Sequence, residues 1–307
     1  MDKVEYIWMD GELRPWDAAQ VHVLSHGLHY GLGAFEGIRA YEQSRGGVSI
    51  FRLEDHLKRL LQSAHICMMD VPFTLEQWSA ACCELIKANG FSDGCYLRPT
   101  VFTGAGSLGI AALDNPIHCV VAAWRWGAYL GEEGLKNGIR MMVSSHRRPA
   151  GDAYSPKGKI NGQYVGSILA KREAIRSGFD EAMMLDHQGF AVEGTGENLF
   201  VVKDGEIRTP HIGQSILAGI TRETAIAILE DQGMVTKEGP ITRDELYCAD
   251  EVFLTGTAAE VTPVREIDHR KIGAGRPGEI TTMLQAAYGS VVRGEKNKWS
   301  HWHTLVE

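Results

Sequence analysis

Residues 181–210 read EAMMLDHQGFAVEGTGENLFVVKDGEIRTP, and their pattern decides the fold class. Four short runs, EAMMLD, FAVE, NLFVV and EIRTP, are broken by turn residues at Asp186–Gly189 and Asp204-Gly205. Such spacing reads as strands joined by tight turns. Helical patterns lie on both sides. Residues 161–177 read as a helix with Asn161 as N-cap, and Thr221 opens TRETAIAILEDQG, which stops at Gly233. Farther out come the strand IRMMVSS, the short helix DELYCAD, the strands EVFLTG and VTPVREID, and a last helix, GEITTMLQAAYGSVVR. Strands and helices mix without βαβ regularity, so the expected class is α+β with mixed α/β content, not a doubly wound sheet.

The N-terminal half continues this mixture. VEYIWMDGELRPW places strand residues around Asp10-Gly11, while EGIRAYE and VSIFR flank a turn at Ser44–Gly47. In RLEDHLKRLLQSAHICMM, Leu53, Leu57, Leu60, Leu61, Ala64 and Met68 recur at helical spacing. TLEQWSAACCELIKANG carries Thr74 as N-cap with Gln77 three residues on, a capping-box signature. Two strands, CYLRPTVF and HCVVAAW, lead to the glycine-rich stretch 127–138. The expected division is a small domain over 1–130, a linker over 131–138 and a larger domain over 139–307.

Composition narrows the function classes. A net charge of −8 gives no electrostatic footing for nucleic acid or an anionic membrane. CVVAAW is too short to span a bilayer, which needs about 20 residues. The six cysteines form no C-x-x-C pair and read as free thiols in a reducing, cytoplasmic compartment. Histidine spacing suggests no structural metal. Glycine is abundant, 35 of 307 residues, which points to many tight turns or close approaches.

Two stretches match G-x-G-x-x-G, Gly104–Gly109 and Gly273–Gly278, but the first leads into IAALDNP, short and broken by Pro116, and the second contains Pro277, its helix starting only after the last glycine. A dinucleotide site is therefore rejected. Gly219-Ile220-Thr221 lies directly before an amphipathic helix, where free amides suit either a phosphate or a plain cap. Glu193 with GTGENLF, and the small-residue loop Thr255–Ala259, are loops of the kind that let a ligand approach backbone amides. A lysine in the loop SPKGKINGQY has a glycine-flanked setting suited to covalent chemistry, and on composition Lys157 and Lys159 are equal choices.

HGLHYGLGAFEGIRAY (26–41), HLKRLLQSA (56–64), KINGQY (159–164), EGTGENLFVVKDG (193–205), LAGITRET (217–224) and ADEVFLTGTAAEVTPV (249–264) follow one another along the chain. Together they resemble the branched-chain amino acid aminotransferases, class IV enzymes of fold type IV that use pyridoxal 5'-phosphate. The resemblance implies a smaller α/β domain, a larger domain with a β-barrel-like core, and the cofactor between them. It implies Lys159 as the Schiff-base lysine, Tyr164 at the cofactor's phenolic oxygen and Glu193 at its ring nitrogen. Arg59, Gly219, Ile220, Thr221 and Thr257 would hold the phosphate, with Leu217 and Gly196 against the ring and Gly256 in the adjoining turn. Tyr30, Phe35, Tyr96, Arg98 and Tyr129 would face substrate, and amides of the Gly256-Thr257-Ala258 turn would meet its carboxylate. Leu108 and Ile110 would reach a neighbouring subunit's site, which requires at least a homodimer, with a trimer of dimers as the larger alternative.

The implied activity is transamination of L-leucine, L-isoleucine and L-valine with 2-oxoglutarate by ping-pong kinetics. An apolar wall of Phe35, Leu108 and Ile110 suits the branched side chain, and Arg98 with Tyr30 and Tyr129 suits the second carboxylate of glutamate. The same fold also serves D-amino acid, aromatic and amine transaminases and aminodeoxychorismate lyases. His146, Ala218 and Gln163 depart from the residues common in the family.

Overall fold

The computed structural model describes residues 3–127 and 129–306. Two compact units emerge, each discontinuous in sequence: Met1–Trp126 with Gly158–Gln163 and Val291–Glu307, and Gly127–Lys157 with Tyr164–Ser290. Thus residues 158–163 and 291–306 group with the N-terminal unit, although the expected division puts both in the larger C-terminal domain.

In the first unit an antiparallel sheet runs in the order His303–Val306, Val48–Phe51, Ile38–Glu42, Gly94–Thr103, Ile117–Trp124, Tyr6–Met9, Glu12–Pro15. The hairpin at Asp10-Gly11 closes with both residues at positive φ, 54° and 99°, which suits a right-twisted two-residue turn. The helix Leu53–Ile66 buries Leu53, Leu57, Leu60 and Ala64, one face at helical spacing. Those residues share a core with Trp78, Leu85, Leu97 and Val121. The expected capping box at Thr74 and Gln77 is present at the start of Leu75–Ala88. Burial among apolar neighbours pushes the Cys95 thiol up to about 12, as befits an inert core residue.

The second unit holds a sheet in which six strands close into a ring. From Ala191–Glu193 it passes through Glu181–Leu185, Ile139–Arg147, Glu260–Ile267, Glu251–Gly256 and Asn198–Lys203. The pairing of Glu193 with Asn198 then returns it to its start. Three of these strands belong to the block with which the sequence reading began. Closure removes the free edges of those strands. The ring interior is apolar, with Met141, Met183, Leu199, Leu254 and Val264 among its buried residues. The helix Tyr164–Arg176 packs Ala170 and Ala174 beside Ala182 and Met184.

Three local expectations need correction. The stretch expected as a linker, 131–138, holds the short helix Glu132–Asn137. The helix expected over 161–177 starts with a 3-10 turn at Asn161–Gln163 and becomes regular only at Tyr164. The helix assigned to a Thr221 cap begins one residue earlier, at Ile220, with Gly219 at the N-cap and no side-chain cap bond.

Candidate functional site

Lys159 lies in a loop of the first unit, and its peptide group is bonded at both ends. Its N–H donates to the Ser63 hydroxyl at 3.0 Å. Its C=O accepts from the Phe35 N–H at 3.0 Å. The ammonium lies 4.9 Å from the centroid of the Phe35 ring.

On the same unit the Arg59 guanidinium makes a forked contact with Glu36, at 2.6 and 2.9 Å. His56 Nδ1 meets the second oxygen of that carboxylate at 2.7 Å. Glu36 has no exposed surface. Burial alone would raise its pKa, but the charge of Arg59, with His56 beside it, holds the carboxyl far below its usual range. Burial acts on His56 in the opposite sense and lowers it, against the pull of the Glu36 carboxylate.

Phe35, Tyr96 and Arg98 form one cluster. The Arg98 guanidinium stands 5.1 Å from the Phe35 ring centroid, 5.5 Å from that of Tyr96 and 5.7 Å from that of Trp124. The Tyr96 hydroxyl enters where residue 37 has no side chain, since a Cβ on Gly37 would lie 1.8 Å from it. Tyr30, Leu108 and Ile110 instead lie on the surface, 51%, 53% and 93% exposed. His26 links two of these regions, its ring 4.6 Å from that of Tyr30 and its Nε2 3.0 Å from the Gly109 carbonyl oxygen.

The second unit gathers a different set. Glu193 is buried at the end of its strand, and Arg148 Nε approaches it to 2.6 Å. The Leu217 N–H donates to Glu193 at 3.1 Å, and the Asn198 amide reaches it at 3.4 Å while holding the Leu217 C=O at 3.0 Å. Two residues beyond Leu217 the helix Ile220–Asp231 opens at Gly219, with Ile220 and Thr221 buried. A Cβ on Gly219 would lie 1.8 Å from Asn198 Oδ1, so glycine is required by the close approach of that amide.

Gly196 is exposed and donates its N–H to Glu197 at 3.1 Å. Gly256 ends its strand, and Thr257 and Ala258 form the half-buried turn that follows. Tyr164 is the first residue of its helix. Tyr129 has the Lys171 ammonium 5.5 Å from its ring centroid.

Lys157, equal to Lys159 on composition, belongs to the second unit. Its ammonium donates to the carbonyls of Ile212, Gln214 and Ile216, the last two at 3.3 and 3.0 Å. A lysine held on three carbonyls has all its protons engaged and acts as a structural tie. No helix directly follows the first G-x-G-x-x-G match, and the second, after the two-residue strand Arg270–Lys271, runs into the helix Glu279–Val292 only past its last glycine. Gly104–Gly109 lies in the connection between Gly94–Thr103 and Ile117–Trp124, and Gly273–Gly278 lies in turns ahead of Glu279. Among the described residues no group of three His, Cys, Asp or Glu side chains is arranged to hold a metal, and no helix is long and apolar enough to cross a membrane.

The model of the class IV aminotransferases matches residues 33–267. A branched-chain-amino-acid aminotransferase of Pseudomonas aeruginosa is 47% identical over 306 residues, covering 100% of this chain and 99% of its own. One from Escherichia coli K12 is 42% identical, covering 97% and 96%. A solved branched-chain amino acid aminotransferase of T.th., holding pyridoxamine 5'-phosphate, superposes with a TM-score of 0.96 at 46% identity, covering both chains fully. The chain belongs to the class IV aminotransferases. Within them it falls in the branched-chain-amino-acid aminotransferase family, and its fold is fold type IV, with the six-strand ring as the barrel-like core.

For an aminotransferase of this class the residues present fit pyridoxal 5'-phosphate. The Ile220–Asp231 helix opens with amides that no side chain caps, a setting that favours phosphate. Glu193 is a buried carboxylate held by an arginine, an amide N–H and an asparagine, a donor set suited to keeping a negative charge at a ring nitrogen. Sequence reasoning missed Arg148 beside Glu193, and Glu36 and Ser63 beside Arg59 and Lys159. Asn198 lay within the loop GTGENLF that the sequence singled out, though not as a partner of Glu193.

Proposed function

We propose that this aminotransferase moves the amino group of L-leucine, L-isoleucine and L-valine to 2-oxoglutarate, giving branched 2-oxo acids and L-glutamate, with pyridoxal 5'-phosphate as its cofactor. The carrying observation is that one unit joins a clamped carboxylate to an uncapped helix start: the Leu217 N–H rests on Glu193, and two residues on, Gly219 opens the helix. The relatives named for branched-chain substrates, 42–47% identical over nearly the whole chain, support the substrate class.

Bound pyridoxal 5'-phosphate supplies an aldehyde that takes up amines and a ring that accommodates carbanion charge. In this reading Lys159 would be the amine that holds the cofactor, and the same amine would serve to move the proton at the substrate Cα. Glu193, with Arg148 at 2.6 Å, would be the carboxylate that meets the ring nitrogen. Gly219, Ile220, Thr221, Thr257 and Arg59 anchor the phosphate, which fixes the geometry by binding. Tyr164 donates to the phenolic oxygen, while Leu217, Gly196 and Gly256 flank the ring.

Phe35 offers the apolar wall for a branched side chain, and Arg98, with Tyr96, Tyr30 and Tyr129, the cationic rim for the glutamate carboxylate. The Thr257-Ala258 amides receive the α-carboxylate. We read the exposed Leu108 and Ile110 as completing the site of a second copy of the chain, so the active form is at least a homodimer, and its setting as the cytoplasm.

The test is a steady-state panel of L-leucine, L-isoleucine, L-valine, L-phenylalanine and D-alanine with 2-oxoglutarate, on wild type, Lys159→Ala and Lys157→Ala. Turnover of the three branched donors, lost by at least about 1,000-fold in Lys159→Ala and kept in Lys157→Ala, is expected. Activity on D-alanine without L-leucine would contradict the substrate class, and an active Lys159→Ala would contradict the lysine assignment.

A further inference from the structure

Ser63 lies inside the helix Leu53–Ile66 with no exposed surface. Alanine would suit that position better as a helix former, because a serine hydroxyl there competes for the helix backbone. Both capacities of this hydroxyl are in use. It donates to the Arg59 C=O, one turn earlier, at 2.7 Å. It accepts from the Lys159 N–H at 3.0 Å. The second bond crosses 96 residues of sequence and ends on a loop whose backbone belongs to no helix or strand at Lys159.

The remaining contacts close a circuit. The Lys159 C=O accepts from the Phe35 N–H at 3.0 Å. Its neighbour Glu36 grips the Arg59 head at 2.6 and 2.9 Å. Arg59 and Ser63 are joined by one turn of helix, and Ser63 returns to Lys159. Every link lies within the first unit. We propose that Ser63 is a positioning residue, which fixes the Lys159 backbone relative to Arg59 and so sets the spacing between the covalent and phosphate anchors of the cofactor. This rests on the roles of Lys159 and Arg59 in the proposed function.

The frame has one replaceable link. Glu36 carries a buried charge, and its loss disturbs folding, whereas Ser63→Ala removes a single oxygen and leaves the helix. Without it the Lys159 N–H loses its acceptor and the loop gains freedom, so cofactor must be ordered at the moment of binding.

The experiment uses full-length Ser63→Ala and wild type, stripped of cofactor and titrated with pyridoxal 5'-phosphate, with amide hydrogen exchange followed over residues 158–163. The expected result is cofactor affinity weakened by about 2- to 10-fold, the worth of one hydrogen bond. Exchange over 158–163 should be faster and that of the sheet strands unchanged. In the reconstituted enzyme kcat should fall with the KM for L-leucine kept. Unaltered cofactor affinity together with unaltered exchange would overturn the proposal, even if the melting temperature dropped. If wild type itself took up no pyridoxal 5'-phosphate, the proposed function would fail first, and the two failures are thereby told apart.

Discussion

Glu197 is a carboxyl group buried behind the loop that carries Glu193. Burial, reinforced by the neighbouring Glu181 carboxylate, raises its pKa from 4.5 to about 8, against the partial relief of Lys171. The folded chain therefore binds a proton that the unfolded chain releases. Stability from this group is full below pH 4.5, declines as pH rises, and is lost by about 8. Glu197→Gln keeps the shape without the ionisation, so its melting temperature relative to wild type should climb between pH 5 and 8.5 in a scanning series. A constant difference would contradict the assignment. Glu36→Ala should cost about 3–5 kcal/mol in denaturant unfolding, because it removes the buried carboxylate that Arg59 and His56 share. Residues such as these leave little trace in sequence. Lys159 was visible as a loop lysine, level with Lys157 on composition, and only the resemblance separated the two; the three carbonyls that engage Lys157 agree with that choice. Arg148 and Glu193 are 45 positions apart, and no local pattern announces that they touch.

Local chemistry made many helix ends readable. Thr74 and Gln77 form a capping box within four residues, and Thr74→Ala should cost about 1 kcal/mol in urea unfolding with no change in activity. The helix start at Gly219 was misplaced for a related reason. A hydroxyl at Thr221 looks like a cap, but the helix already begins at Ile220, with Gly219 at the N-cap and the Asn198 amide, from another strand, filling the space beside it. Gly219→Ala should therefore displace Asn198 from Glu193 and Leu217. We expect cofactor affinity to fall by at least about tenfold as the ring-nitrogen and phosphate supports move together, measured by titration of the apoprotein. The strand His303–Val306 also escaped notice. Its partner, Val48–Phe51, lies some 250 residues away, and its sequence reads only as a Trp-rich tail.

At the scale of the molecule, the block from residue 181 to 210 carried the fold class because its turns are local and its strands short. The closure of six strands is a non-local fact: Glu193 must find Asn198 across the loop while Ile139–Arg147 pairs in parallel with two strands distant in sequence. The ring explains why Glu193 and the turn at Gly256 are held by one framework, since both end strands of it. The discontinuous first unit has the same moral, for residues 158–163 carry Lys159 back to the N-terminal sheet and could not be assigned by a single cut. The central claim is that this framework runs branched-chain transamination in two half-reactions. Its most direct test is to give the holoenzyme L-leucine with no 2-oxo acid present and to follow the cofactor's visible band and the product. The account predicts that the band is lost with about one equivalent of 4-methyl-2-oxopentanoate per subunit, and returns when 2-oxoglutarate is added, with L-glutamate formed. A band unmoved by L-leucine, or product that accumulates beyond one equivalent before any acceptor is added, would contradict it.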